Sequence, residues 1–186
     1  MGMVGTFFWG IVLLAALLAL LVWVYIRRQG NEKIRFDIGQ RSDCVLETLT
    51  ETTAVMSCKV PFRNTGSQDG TVMDAFPRVL LPYEQYDAVE VSARMMLETA
   101  PRVDGYWEAV IIPKHTGGTV VVAIQFVARQ GDIRTALAEM VDMPIDLVLH
   151  IVSRSLAYLT KQRIVITSEE IAKALESQSG AQSEVL

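Results

Sequence analysis

The chain has 186 residues, 51% of them hydrophobic, and its 21 acidic against 17 basic side chains leave a net charge of −4. That slight acidic excess supplies no basic field for nucleic acid. About 150 residues follow the first apolar segment and its linker, enough for one domain with a hydrophobic core.

Phe7 to Ile26 is an unbroken apolar run without a charged side chain. At 1.5 Å per residue it makes a helix of roughly 30 Å, the thickness of a bilayer's hydrocarbon core. Trp9 near one end, and Trp23 with Tyr25 near the other, place amphipathic rings where headgroups begin. A transmembrane helix over 7–26 is therefore predicted, preceded by a short tail over 1–6, with the lipid bilayer as its partner. A cleavable signal peptide needs a basic residue ahead of a shorter apolar stretch, and no Lys or Arg precedes Phe7. Gly2 and Thr6 formally fit the myristoylation pattern, a loose one that a helical anchor makes redundant. Ala15 and Ala19 form a small-xxx-small pair, which an Ala/Leu-rich span also produces as lipid-facing filler.

Arg27, Arg28, Lys33, Arg35 and Arg41 follow the helix, whereas the tail carries no charged side chain. The positive-inside rule places the C-terminal part in the cytoplasm, and Arg27 and Arg28 snorkel to lipid phosphates at the interface. The opposite, extracytoplasmic arrangement leaves the basic cluster as a contact for anionic lipids. A basic linker over 27–33 leads into the domain, set at 34–177, and a mobile tail is expected over 178–186 because it lacks apolar residues to order it.

Within the domain the dominant period is two, the signature of an antiparallel sandwich or barrel. Ala54, Met56, Cys58, Val60 and Phe62 alternate with Val55, Ser57, Lys59 and Pro61, and Pro61 should sit where no ladder N–H is needed. Asn64 to Gly70 is a turn. Strands are predicted over 71–76 and 88–97, joined by a connection from Pro77 to Pro82. Two more, over 106–112 and 119–128, flank Pro113 to Gly118, a hairpin signal in which Gly117 and Gly118 supply positive φ. Behind Asp132, a good N-cap, Ile133, Ala136, Leu137, Met140 and Val141 fall at helical spacing until Pro144. Ile145 to Ile151 and Gln162 to Ile166 resume strand alternation. Thr167-Ser168-Glu169-Glu170 has capping-box spacing and starts a last helix to about Ser177. The fold class is a transmembrane helix plus a mainly-β, immunoglobulin-like antiparallel sandwich with short helices near 132–141 and 168–177.

If strands 43–49 and 53–62 form a hairpin, Cys44 and Cys58 lie opposite one another on the face shared by Leu46 and Met56. In an oxidising compartment a cross-strand disulfide is conceivable, and in the cytoplasm paired buried thiols are expected. Two thiols without further Cys or His cannot complete a metal shell, so no metal and no cofactor is expected. His150 and Asp146 share a strand face with Ser153 and Ser155 nearby, but adjacent residues on a strand point to opposite faces and no triad follows. His115 belongs to the hairpin turn, and Glu108 and Asp104 have no close carboxylate partner. The sequence holds no phosphate loop, zinc helix motif or nucleophile elbow.

Val60-Pro61-Phe62-Arg63-Asn64-Thr65-Gly66, a strand ending in Asn and a turn, resembles immunoglobulin-like sandwiches of the late-embryogenesis-abundant type 2 kind. With the N-terminal span, the whole is similar to uncharacterised membrane-anchored β-sandwich proteins of bacteria. The resemblance implies a binding or structural role and no transferable site residue. The expectation is a non-enzymatic, single-pass protein that binds another protein. Its candidate surfaces are sheet edges, the loop Asn64 to Gly70, and Pro77 to Tyr86. Phe76, Leu80, Leu81, Tyr83 and Tyr86 either fold across the end of the core or form an exposed patch. The alternative is lipid or small apolar ligand binding inside the sandwich, against Val122, Ile124, Phe126 and Trp107.

Overall fold

The computed structural model describes residues 2–102, 104–154 and 156–183. Helix α1 (Gly2–Arg28) contains the apolar segment. Over Phe8–Arg28 its mean hydropathy is 2.6 and none of it is buried against the rest of the chain, so by length and composition it can cross a membrane. Trp9, Trp23 and Tyr25 project freely from it, and the Arg27 guanidinium lies 4.7 Å from the Trp23 ring centre. A guanidinium over an indole ring in this way makes a cation–π contact.

Among the described residues nine strands follow: β1 (Ile34–Phe36), β2 (Val45–Leu49), β3 (Thr53–Asn64), β4 (Gly70–Val79), β5 (Val89–Leu97), β6 (Val110–Ile112), β7 (Gly117–Ala128), β8 (Met143–Val152) and β9 (Tyr158–Ile166). Helix α2 (Ile133–Ala138) lies between β7 and β8, and α3 (Ser168–Ser183) follows β9. The first sheet has the order β1-β3-β7-β5, with β2 also paired to β3, and the second has the order β6-β4-β8-β9. Every pairing is antiparallel. Two sheets of this kind, each hydrophobic on one face, share a single core and make an antiparallel β-sandwich. Met56, Cys58 and Val60 of β3, Val122, Ile124 and Phe126 of β7, and Ile145, Leu147 and Ile151 of β8 are among its fully buried residues.

Pro61 and Pro77 mark where ladders stop on one side of their strands. β1 pairs with Phe62 to Asn64 and β2 with Ala54 to Ser57, so Pro61 faces the gap between them, which a 3-10 turn at Ile38–Gln40 occupies. β4 runs to Val79, beyond the predicted end at Phe76. The Leu80 N–H donates to the Pro144 carbonyl on β8, so by alternation Pro77 turns its nitrogen away from that strand. On that other side β6 pairs only with Gly70 to Val72.

The hairpin between β6 and β7 differs from expectation in its chemistry. Gly117 and Gly118 belong to the strand, and the left-handed residue is His115, with φ of 60°. Thr116 closes the turn with its N–H and hydroxyl on the Pro113 carbonyl. Gly117 serves a close approach: a Cβ there would lie 2.1 Å from the Phe62 carbonyl oxygen. The predicted strand from Tyr106 begins only at Val110, because Trp107 tucks into the core and donates to the Val72 carbonyl. Helix α2 stops at Ala138, short of Val141, and Pro144 belongs to β8. Helix α3 runs past Ser177 to Ser183, and residues 184–186 lie outside the described residues.

Candidate functional site

The end of the sandwich nearest α1 is built around Asn64. This fully buried amide accepts from the N–H groups of Lys33 and Gly66, both at 3.0 Å, and donates to the carbonyls of Gln68 at 2.8 Å and Ile112 at 3.1 Å. One side chain thus ties linker, turn and second sheet together, with its hydrogen-bonding capacity filled. At Gly66 a Cβ would fall 2.4 Å from the Asn31 carbonyl oxygen and 2.5 Å from the Lys33 nitrogen, so glycine lets the linker cross the turn. Ser67 and Gln68 donate to the Gln29 carbonyl, and Arg154, between β8 and β9, donates to the Gln29 side chain at 2.6 Å. The loop Asn64 to Gly70, expected as a partner surface, is thereby engaged with this chain's own linker.

The outer face of the second sheet is the most distinctive surface. Register sets Arg78, Asp146 and Arg163 in one row across β4, β8 and β9, and Phe76, Val148 and Lys161 in the next. Asp74, His150 and Leu159 form the row beyond, and Val165 pairs with Pro144 at the far end. Asp146 is buried although it sits on a solvent-facing side. Arg163 donates to it at 2.7 and 3.3 Å and Lys161 at 3.1 Å. The Arg163 hydrogen bond, working against burial and helped by Lys161, lowers the Asp146 carboxyl to about 2. His150 faces Asp74 rather than Asp146, and Ser153 donates to the Asp69 carbonyl. Ser155 lies outside the described residues.

A second polar cluster lies where α3 meets the first sheet. The Arg41 guanidinium holds Glu170 bidentately at 2.7 and 2.9 Å, and the same carboxylate accepts from the Cys44 N–H at 2.7 Å. The capping box is only half made: Thr167 accepts from the Glu170 N–H, but the Glu170 side chain turns away to Arg41. Burial raises the Glu170 carboxyl, and the bonds from Arg41 and Cys44 outweigh it, leaving the group below the usual range. Cys44 and Cys58 are free, buried thiols within hydrogen-bonding reach of each other. The bond to Cys58 and then burial push the Cys44 thiol up, while the same bond and the Arg41 charge pull Cys58 down. Among the described residues no group of three or more His, Cys, Asp or Glu is arranged to hold a metal ion.

The apolar residues of the Phe76 to Tyr86 region are brought together only in part: Leu81, Tyr83 and Tyr86 line one open cleft of about 180 Å3 beside Val89 and Arg129. Phe76 is on the outer face of β4, whereas Leu81 and Tyr86 pack against the core and the Tyr86 hydroxyl donates to the Ala136 carbonyl. Tyr83 is exposed beneath the Arg129 guanidinium. Val122, Ile124 and Phe126 are wholly buried, and Trp107 borders a crevice of about 20 Å3, room for about one water. His115 is exposed, Asp104 pairs with Arg102 at 2.7 Å, and Glu108 lies 3.7 Å from the same arginine. Leu159, Val165 and the Arg41–Glu170 pair escaped the sequence reading. A strand begun at Tyr158 instead of Gln162 would have revealed Leu159, and Val165 lay within the predicted strand but on the face opposite the buried Ile164 and Ile166.

No family model matches the sequence, and no curated protein matches it. Among solved structures the chain is similar to the GAE domain of GGA2p from Saccharomyces cerevisiae, at 10% identity over 74% of this chain and 91% of that one, with a TM-score of 0.37. It is also similar to the GAE domain of yeast GGA1, at 7% identity over 68% and 97% of the two chains, with a TM-score of 0.32. A third likeness, to a FixG-related protein from Vibrio parahaemolyticus, has 9% identity, covers 74% and 95% of the two chains and has a TM-score of 0.27. At such identities and TM-scores nothing about sites or partners carries over.

Proposed function

We propose that the chain is a non-enzymatic, single-pass membrane protein whose sandwich docks a protein partner on the outer face of its second sheet. The carrying observation is the composition of that face. Phe76, Leu159 and Val165 are 42%, 67% and 43% exposed, and they border Arg78 and the Lys161 and Arg163 cations that share the Asp146 carboxylate. An apolar, net-basic sheet face of this kind matches a protein segment that presents apolar side chains flanked by carboxylates. The basic residues after α1, against an uncharged tail, support a cytoplasmic position for the domain.

A photo-crosslinking residue at Leu159, with a control at Arg129 on the other sheet, tests this in intact cells. The expected result is a specific adduct from position 159 that is lost when Lys161→Glu reverses the charge and retained in Lys59→Glu. Equal adducts from both positions, or adducts indifferent to Lys161→Glu, would remove this face as the docking site. An adduct only between two copies of the chain would replace the acidic partner by self-association.

A further inference from the structure

A different surface, on the outer side of the first sheet, carries an independent inference. Arg35 of β1 and Arg63 of β3 are direct cross-strand partners, both exposed. Side chains so placed have Cβ atoms about 5 Å apart, and like charges directly opposite each other destabilise a sheet. Arg41, Arg102, Arg129 and Arg163 each lie within ion-pairing distance of a carboxylate. Among the described residues no such partner stands by Arg35 or Arg63, and both residues line an open cleft of about 560 Å3. Gln40, Thr65 and Thr119 also line it, and Gly117 and Gly118 contribute no side chain to fill it. Asp37 is the one acidic residue in the lining, so the cleft keeps a surplus of positive charge.

We infer that this cleft binds a phosphoryl group carried on a larger polar body. Two guanidinium forks facing across one strand pair suit an oxyanion with several acceptor oxygens, and a bound dianion converts their repulsion into two charge-assisted contacts. The volume exceeds what inorganic phosphate fills, which leaves room for a sugar or polyol attached to it. The place in the fold fits a headgroup as well as a soluble ligand. Thr65 donates to the Lys33 carbonyl of the linker. From Gln29 to Arg35 the chain spans at most about 20 Å when fully extended.

The test uses the full chain in nanodiscs of phosphatidylcholine at physiological salt, titrated calorimetrically with inorganic pyrophosphate. Saturable binding of one pyrophosphate per chain is expected, weakened at least tenfold by Arg63→Gln and by Arg35→Gln and unchanged in Arg129→Gln. Neither cleft variant should lower the melting temperature, since each relieves a like-charge pair, so a loss of binding is not a loss of fold. Repeating the titration in discs containing phosphatidylglycerol separates the sources. Weakened pyrophosphate binding there assigns the phosphoryl group to a lipid, and unchanged binding assigns it to a soluble ligand. No saturable binding in the neutral discs, or equal weakening in Arg129→Gln, overturns the inference.

Discussion

Asp146 shows how one side chain makes a sheet face what it is. A carboxylate in the middle of an outer face is ordinarily solvated, yet here Lys161 and Arg163 of the neighbouring strand fold over it and leave it buried. The pair contacts are charge-assisted, but both cations keep more than half of their surface in water, so their net worth is modest. The carboxyl falls to about 2 in the folded protein against about 3.9 in an unfolded chain. Because the folded value is the lower one, the contribution is complete above about pH 4 and is lost as pH falls towards 2. Asp146→Asn should therefore flatten the acid limb of the stability curve between those values. At pH 7 it should cost only about 1 kcal/mol, because the released cations regain water. Urea unfolding of the full chain in detergent micelles, followed by tryptophan fluorescence at several pH values, measures both.

At the scale of elements, α3 is held by a contact that its own sequence does not announce. Its first turn reads as a capping box, and the local half, Thr167 to the Glu170 N–H, is present. The other half is overridden, because Arg41 lies 129 residues away in the chain and offers Glu170 a bidentate partner. A spacing rule can supply a helix start but not a partner from another element. The same division holds elsewhere. The long alternations of β3, β7 and β8 were legible because one face is continuously apolar, as was the N-cap of α2 at Asp132, whose side chain accepts from the Thr135 N–H. β1, with three residues, is too short to show a period, and Gly117 resembles a turn residue although its role is to let β7 approach β3. Glu170→Gln keeps an acceptor for the Cys44 N–H but leaves the mostly buried Arg41 without a counter-charge. The expected cost is about 2–3 kcal/mol, below the full buried-pair value because the site keeps some water. Hydrogen exchange should quicken first in α3 and at residues 41–44, and Cys44 should alkylate several-fold faster than in the parent. Uniform loosening of both sheets, or unchanged exchange in α3, would show that the pair does not fasten this helix.

For the whole molecule the decisive question is whether the sandwich swings freely from α1. A basic linker over 27–33 reads as a tether, but Gln29, Lys33 and Asn31 are all engaged by the turn after β3 and by Arg154. Asn64 ends β3 and fastens the linker to both sheets, which turns a tether into a fixed joint. The Arg35 and Arg63 cleft opens beside the joint, and the row of Arg78, Asp146 and Arg163 lies further along the second sheet. Gly66 is where the joint is most vulnerable, because a methyl group there meets the Asn31 and Lys33 backbone rather than a side chain that can move. Gly66→Ala should push the linker off the turn and break the Lys33 N–H bond to Asn64, while the sheet ladders on either side keep their register. Trypsin cleavage of nanodisc-bound protein within 27–33 should then be at least tenfold faster than in the parent. The released domain should still unfold cooperatively, with a midpoint lowered by the loss of about one or two hydrogen bonds, about 1–2 kcal/mol. Equal cleavage rates in parent and variant would mean that the linker is already free, and the domain's reach over the membrane would then be set by chain length alone.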